Sequence, residues 1–287
     1  ADVRLRRSDV AAAAAHARRA SGRPEPLPRP GEGALPGFRG VGGMAAAKEA
    51  LTQAVLLPLR HPASFAAAPL RLRSGALLHG PPGCGKTLLA RAVAAESGLP
   101  PSWPSARPTS FCHGRRELRL LGLPFISVSG PELLDKYIGA SEAKVRDTFA
   151  KASAAAPCLL FFDEFEALGR ARGCDSTGVT DRVVNTLLCH LDGVEALGAV
   201  FVLAASSRPE LIDPALLRPG RIDMAVACGL PDEEERLAIL SALARPLGLP
   251  LASLRRLAAI AAATAGYSGA ELRAVLNAAQ LAAAREA

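Results

Sequence analysis

Two residues with clear chemical capacity, Lys86 and Thr87, close the run Gly80-Pro81-Pro82-Gly83-Cys84-Gly85-Lys86-Thr87. The spacing is G-x-x-x-x-G-K-[ST]. A loop of this kind can turn its backbone N–H groups onto phosphate oxygens, and a helix starting at its end adds a positive pole. Lys86 then supplies a charge for the phosphates, and Thr87 an oxygen for Mg²⁺. An ordinary Gly/Pro turn would not require Lys-Thr directly after its last glycine. A second run, Leu159-Leu160-Phe161-Phe162-Asp163-Glu164, ends an apolar stretch in two carboxylates. Asp163 is placed to hold Mg²⁺ through water. Glu164 is placed to orient and deprotonate a water at the γ-phosphate. Binding and hydrolysis of ATP is the chemistry that these residues make together.

Two further groups have weaker patterns. Arg218 and Arg221 sit three apart beside the Pro219-Gly220 turn. They suit a surface salt-bridge loop, or fingers that reach a neighbouring subunit's γ-phosphate. Tyr137 and Ile138, in Lys136-Tyr137-Ile138-Gly139, suit either a core contact at a helix end or an exposed grip on polypeptide.

The elements that must carry these residues follow from periodicity. Short apolar runs at Gly75–His79, Phe125–Ser129, Cys158–Phe162, Val200–Ala205 and Ala225–Cys228 read as five buried strands. Helical stretches at 86–97, 141–155 and 179–191 separate the first four. That alternation predicts an α/β fold, a five-stranded parallel sheet with helices on both faces. Its nucleotide would lie at the carboxyl edge of the strands. An amphipathic helix from about Met44 to Leu59 precedes the sheet, and Ser141 is the expected N-cap of the helix beginning at Glu142. After Pro231 only helices follow, at 232–246, 251–264 and 268–286, the last opening with Ser268 and Glu271 as a capping box. They read as a small C-terminal lid, cut short because the final helix has no stop signal.

The domain boundaries expected are therefore 1–37 for an N-terminal arm and Pro/Gly-rich linker, 38–230 for the α/β domain and 231–287 for the lid. Residues 101–124 interrupt the α/β domain. Gly-Leu-Pro occurs at 98–100 and again at 122–124, and removing the residues between leaves an ordinary short join. The stretch reads as an insertion or a gene-model artefact, far from the nucleotide.

Charge and cysteine usage exclude other classes. The formal net charge is +7, but residues 1–30 contribute +4 and residues 100–122 contribute +3, so the rest is neutral. A basic nucleic-acid groove on the folded body is not supported. Six cysteines stand at 84, 112, 158, 174, 189 and 228 without a C-x-x-C pair. Free thiols in a reducing compartment are expected, with Cys84, Cys158, Cys189 and Cys228 in or beside core elements. No apolar run approaches the roughly 18 residues of a membrane span.

From Gly40 to Ala284 the chain resembles the AAA family of ring ATPases. Gly80–Thr87 resembles the family's Walker A motif and Leu159–Glu164 its Walker B motif. Thr180-Asp181-Arg182-Val183-Val184-Asn185 with Asp213–Arg221 resembles its second region of homology, and Gly266–Leu272 its sensor-2 segment. The resemblance implies that Leu88, Val41, Gly42, Gly269 and Ala270 complete the nucleotide pocket. It also implies that Ser207 occupies the sensor-1 position, where most relatives carry Asn. Asp192-Gly193-Val194 replaces the Asp-Gly-Phe common in the family's intersubunit signalling segment. Lys136–Glu142, Phe161–Glu166, Asp175–Asn185 and Ser206–Pro209 are similar, more narrowly, to the second ATPase domain of the peroxin-one branch, the AAA proteins of peroxisome biogenesis. That implies a hetero-hexamer with a second, peroxin-six-like AAA protein. It would be cytoplasmic and peripheral at the peroxisomal membrane, meeting the membrane only through an adaptor. Its cargo would be a polypeptide, the import receptor, threaded through a central pore past Tyr137 and Ile138, and it would not bind nucleic acid. Another AAA unfoldase or disassembly factor, or a nucleotide-loaded scaffold subunit of such a ring, remains a rival reading.

Deleting Pro101 to Pro124 is expected to leave soluble expression and ATP binding intact, measured as yield and nucleotide affinity of the deleted chain. Loss of soluble protein would show that the stretch packs on the body.

Overall fold

The computed structural model describes residues 37–61, 74–97, 124–134, 139–170, 179–194, 200–247 and 251–286. These fall into two compact units. One comprises the described residues of 46–81 and 86–228, and the other those of 37–45, 82–85 and 229–286. The arm, the insertion up to residue 123, Tyr137, Ile138, Cys112 and Cys174 lie outside the described residues.

The first unit is built on five parallel strands: β1 Gly75–His79, β2 Phe125–Ser129, β3 Cys158–Asp163, β4 Val200–Ser206 and β5 Met224–Ala227. Their order is β2-β3-β4-β1-β5. The inner strands β3 and β4 are near-continuous apolar runs because helices cover both of their faces. The expectation of five buried strands fails at the edges. β2 is only partly buried, and β5 alternates buried Met224 and Val226 with exposed Ala225 and Ala227. An edge strand has one neighbour fewer to cover it.

Among the described residues, the longer helices of this unit are α1 Ala45–Leu51, which continues through a widened turn to Arg60, α2 Lys86–Glu96, α3 Ala140–Ala154 and α4 Val179–Val194. α2 packs on β3, β4 and the widened turn, while α3 packs on α4 and β3. A row of rings marks the core under α3. Phe149 and Phe162 lie 5.9 Å apart between centroids, as do Phe162 and Phe165. Such contacts add to the area that the rings remove from water.

Two local expectations are corrected. Ser141 is not an N-cap: α3 begins at Ala140, after Gly139 at φ 84°, and Ser141 is buried within the first turn. Only glycine reaches that φ without cost, so the chain turns into the helix two residues early. Cys189 is exposed, on the outer side of α4, whereas Cys84, Cys158 and Cys228 are buried thiols. Burial pushes the Cys158 thiol up to about 11, and its S–H donates to the Ala152 carbonyl at 3.2 Å. A thiol held protonated is inert at neutral pH.

The other unit has its own apolar core, formed by Leu240 and Ala244 of α5 (Glu233–Ala244), Leu257 and Ile260 of α6 (Leu251–Ala263), and Leu272 and Leu276 of α7 (Gly269–Glu286). Buried Arg236 ties these pieces together, donating to the Ala261 carbonyl at 2.8 Å and the Pro231 carbonyl at 3.0 Å. Ser268 and Glu271 form the expected cap, with the Ser268 N–H donating to Glu271 Oε2 at 2.7 Å. A second capping box, Asp232 with Glu235, opens α5. Among the described residues no helix is long and apolar enough to cross a membrane.

Phe162→Ala is expected to lower stability by roughly 3–5 kcal/mol in urea unfolding, through lost burial and the cavity left behind. Leu281→Ala, at a side chain 62% exposed, should stay within about 0.5 kcal/mol of the parent.

Candidate active site

The first residue of the phosphate loop is fixed by the sheet. Gly80 follows β1 directly, and its N–H donates to the Ser206 carbonyl at the end of β4, 3.3 Å away. On the other side the Cys228 N–H donates to the His79 carbonyl at 2.7 Å. A Cβ on Gly80 would collide with the Cys228 carbonyl, and φ is 149°. Gly83 and Gly85 also have positive φ, at 79° and 89°. The loop therefore keeps its backbone bare, as a surface that must approach an anion requires. Lys86 and Thr87 open α2, with Leu88 exposed beside them and Cys84 buried. The Lys86 ammonium folds back over its own loop and donates to the carbonyls of Gly80 (2.8 Å) and Pro81 (2.9 Å). Its three hydrogens thus have two neutral acceptors, which anionic phosphate oxygens can replace.

Thr87 Oγ1 donates to Asp163 Oδ2 at 2.7 Å. This contact joins the helix after β1 to the end of β3 and sets a hydroxyl and a carboxylate side by side. Both are hard oxygen ligands, and Mg²⁺ takes one or two carboxylates alongside phosphates and water. Thr87 and Asp163 fit it. Asp163 Oδ1 accepts the Glu164 N–H at 3.0 Å. Glu164 itself is exposed and sits in the left-handed region, at φ 50° and ψ 48°.

Past β4, Ser207 does not stand alone. Its hydroxyl donates to Glu166 Oε1 at 2.8 Å and its N–H to the same oxygen at 3.3 Å. Sequence reasoning missed Glu166, since the pairing needs the register of β3 against β4.

The two arginines differ. The Arg221 fork grips Asp192 at the end of α4, Nε to Oδ1 at 2.6 Å and one terminal nitrogen to Oδ2 at 2.8 Å, while the other donates to the Ala215 carbonyl at 2.7 Å. That bidentate pair holds the Asp192 carboxyl below the usual carboxylate range and raises Arg221. Arg218 is exposed, and among the described residues its side chain has no hydrogen bond or ion pair.

In the other unit the Gly83 carbonyl accepts the Ala270 N–H at 3.0 Å, and Ser268 Oγ lies 3.2 Å from where a Cβ on Gly83 would stand. Gly269 packs there too, its own Cβ position 3.4 Å from the Gly83 carbonyl. A Cβ on Gly42 would meet the backbone of Ile239, and the Met44 N–H donates to Glu235 Oε1 at 2.7 Å. Val41 is buried beside them. The sequence candidates Val41, Gly42, Gly83, Gly269 and Ala270 thus lie within one unit, while Gly80, Pro81, Lys86, Thr87, Asp163, Glu164 and Ser207 lie within the other.

Residues 76–230 match the family model described as the ATPase family associated with various cellular activities. The chain belongs to the AAA family of ATPases. As an AAA domain it binds ATP. It is also similar to proteins named "Peroxisomal ATPase PEX1". The protein from Arthrobotrys oligospora is 52% identical over 244 residues, covering 85% of this chain and 18% of that protein. The Homo sapiens protein is 51% identical over 245 residues, 85% of this chain and 17% of that protein. The Saccharomyces cerevisiae protein is 48% identical over 240 residues, 81% of this chain and 21% of that protein. The chain therefore spans about a fifth of the length of the curated relatives it matches.

Lys86→Ala is expected to weaken ATP binding by a factor of about 10 or more, because a charge-assisted contact to phosphate is lost. Titration with a fluorescent ATP analogue reads this directly, and unchanged affinity would remove Lys86 from the site.

Proposed function

We propose that this AAA domain is the second ATPase domain of a peroxisomal AAA ATPase, and that it turns ATP hydrolysis into a pull on a polypeptide. The observation that carries the hydrolytic part is the 2.7 Å hydrogen bond from Thr87 to Asp163, which couples the loop for the phosphates to the strand that ends in Glu164. Lys86 neutralises phosphate charge. Mg²⁺ held by Thr87 and Asp163 would supply further neutralisation of the β- and γ-oxygens. Glu164 accepts a proton from the attacking water as its oxygen bonds to phosphorus, and the bond to the β-phosphate oxygen breaks to release ADP.

The free guanidinium of Arg218 is the better finger for a neighbouring subunit's γ-phosphate, because Arg221 is already committed within its own chain. Similarity to the peroxisomal relatives supports a hetero-hexamer with a peroxin-six-like partner. It also supports a cytoplasmic site of action, peripheral at the peroxisomal membrane, with the ubiquitinated import receptor as cargo reached through an adaptor. Tyr137 and Ile138 are the residues proposed to grip that cargo.

Glu164→Gln in the full hetero-oligomer is expected to bind ATP and lose a factor on the order of 10²–10⁴ in turnover, since the amide cannot take the proton. Mixing decides action in trans. Rings combining Arg218→Ala chains, which lack the finger, with Glu164→Gln chains, which lack the base, should regain activity at interfaces that rebuild one complete site. Phosphate release from rings of verified mixed composition measures it, and no recovery would count against a finger in trans.

A further inference from the structure

Glu166 follows Glu164 by two residues, and the reaction above gives it no part. It lies in the short turn Phe165–Ala167, behind buried Phe165. Its Oε1 accepts both the N–H and the hydroxyl of Ser207. Its Oε2 is buried and has no hydrogen-bond partner among the described residues, so the anchoring falls on Oε1. Burial alone would raise this carboxyl. Hydrogen bonds from its own backbone and from Ser206 and Ser207 outweigh that and hold it below the usual range. It is ionised at neutral pH, and an ionised carboxylate only accepts.

That fixes the direction of the Ser207 contact. A serine hydroxyl has one proton and two lone pairs. Here the proton goes to Glu166. Phosphate oxygens, too, offer only lone pairs, so Ser207 held this way has nothing to donate to a γ-phosphate. A water, which carries protons to give, can use its free lone pair. The place suits such a water: Ser207 directly follows Ser206, whose carbonyl receives the first N–H of the phosphate loop.

We propose that Glu166 is a positioning residue that fixes the Ser207 hydroxyl as an acceptor for the attacking water, so that this chain has no phosphate-sensing donor at 207. The proposal rests on the ATPase reading above. It differs from a reading in which the Ser207 hydroxyl donates to the γ-phosphate. It also gives a reason why Ser is sufficient at this position, since accepting one hydrogen bond from water does not need an amide.

The test uses the full-length protein in its assembled ring. Affinities for ATP and ADP are measured in a Glu164→Gln background, and kcat and KM without it. Ser207→Ala should leave the preference for ATP over ADP unchanged within about twofold, while kcat falls about tenfold from the lost contact to water. Glu166→Ala releases the proton, so the preference for ATP should rise several-fold, and the rise should vanish in Glu166→Ala/Ser207→Ala. The double variant should lose no more kcat than Ser207→Ala alone, because the two side chains act as one unit. Glu166→Gln, whose Oε1 still accepts, should recover part of what Glu166→Ala loses. A tenfold fall in ATP preference in Ser207→Ala, or kcat losses that multiply in the double variant, would overturn the proposal. If Glu166→Ala does not fold, the Ser207→Ala preference alone decides. A parent ring that loads ATP without hydrolysing it would instead contradict the ATPase reading, and the affinity ratios would still show where the proton goes.

Discussion

Strand β4 lies between β1 and β3, yet Thr87, just after β1, and Asp163, at the end of β3, share a hydrogen bond across it. Strands are about 4.8 Å apart, so this contact spans roughly 10 Å of sheet. It crosses the carboxyl end of β4, where the side chains are small, Ala204-Ala205-Ser206. The register sets Ala204 between Leu77 and Phe162, and Ser206 beside His79. Bulk is supplied by the neighbours and withheld in the middle. The Ser206 carbonyl then receives Gly80, which starts the phosphate loop. Residues 80, 163 and 207 thus come together at the carboxyl edge of one sheet, at or just past the ends of β1, β3 and β4.

Much of this was legible in the sequence, for physical reasons that differ by residue. The loop Gly80–Thr87 could be read because bare backbone followed by Lys-Thr has few other uses. The strand ending at Asp163 could be read because a continuous apolar run cannot face water. Edge strands were harder. β5 looks apolar along its length, and only its place in the order leaves Ala225 and Ala227 outside. The exposure of Cys189 was missed because a helix in an α/β fold buries one stripe, and a small apolar residue on the far side gives no contrary signal. Glu166 with Ser207, and Arg221 with Asp192, were missed because residues 41 and 29 positions apart meet only once strands and helices are set.

Those two pairs share a lesson about hydrogen-bond inventories. Arginine and serine were chosen from sequence for what they can donate. The structure shows what they have left to donate. The three engaged nitrogens of Arg221 leave little for a neighbour, while Arg218 keeps its full fork. Ser207 retains only lone pairs. Type and position made the two arginines equivalent candidates, and local partners separate them.

Gly130 offers a different kind of consequence. It begins the turn after β2, and a Cβ there would stand 2.5 Å from the Glu164 carbonyl and 3.2 Å from the Asp163 carbonyl. Glu164 already occupies the left-handed region, where a residue with a side chain has little slack. Even alanine at 130 would therefore have to push on the backbone that aims the reacting carboxylate. In a genetic survey this silent-looking glycine, with no charge and no nucleophile of its own, would score as an active-site residue. Its lesions would mimic damage to Glu164 while leaving Lys86 and the loop that loads the nucleotide untouched.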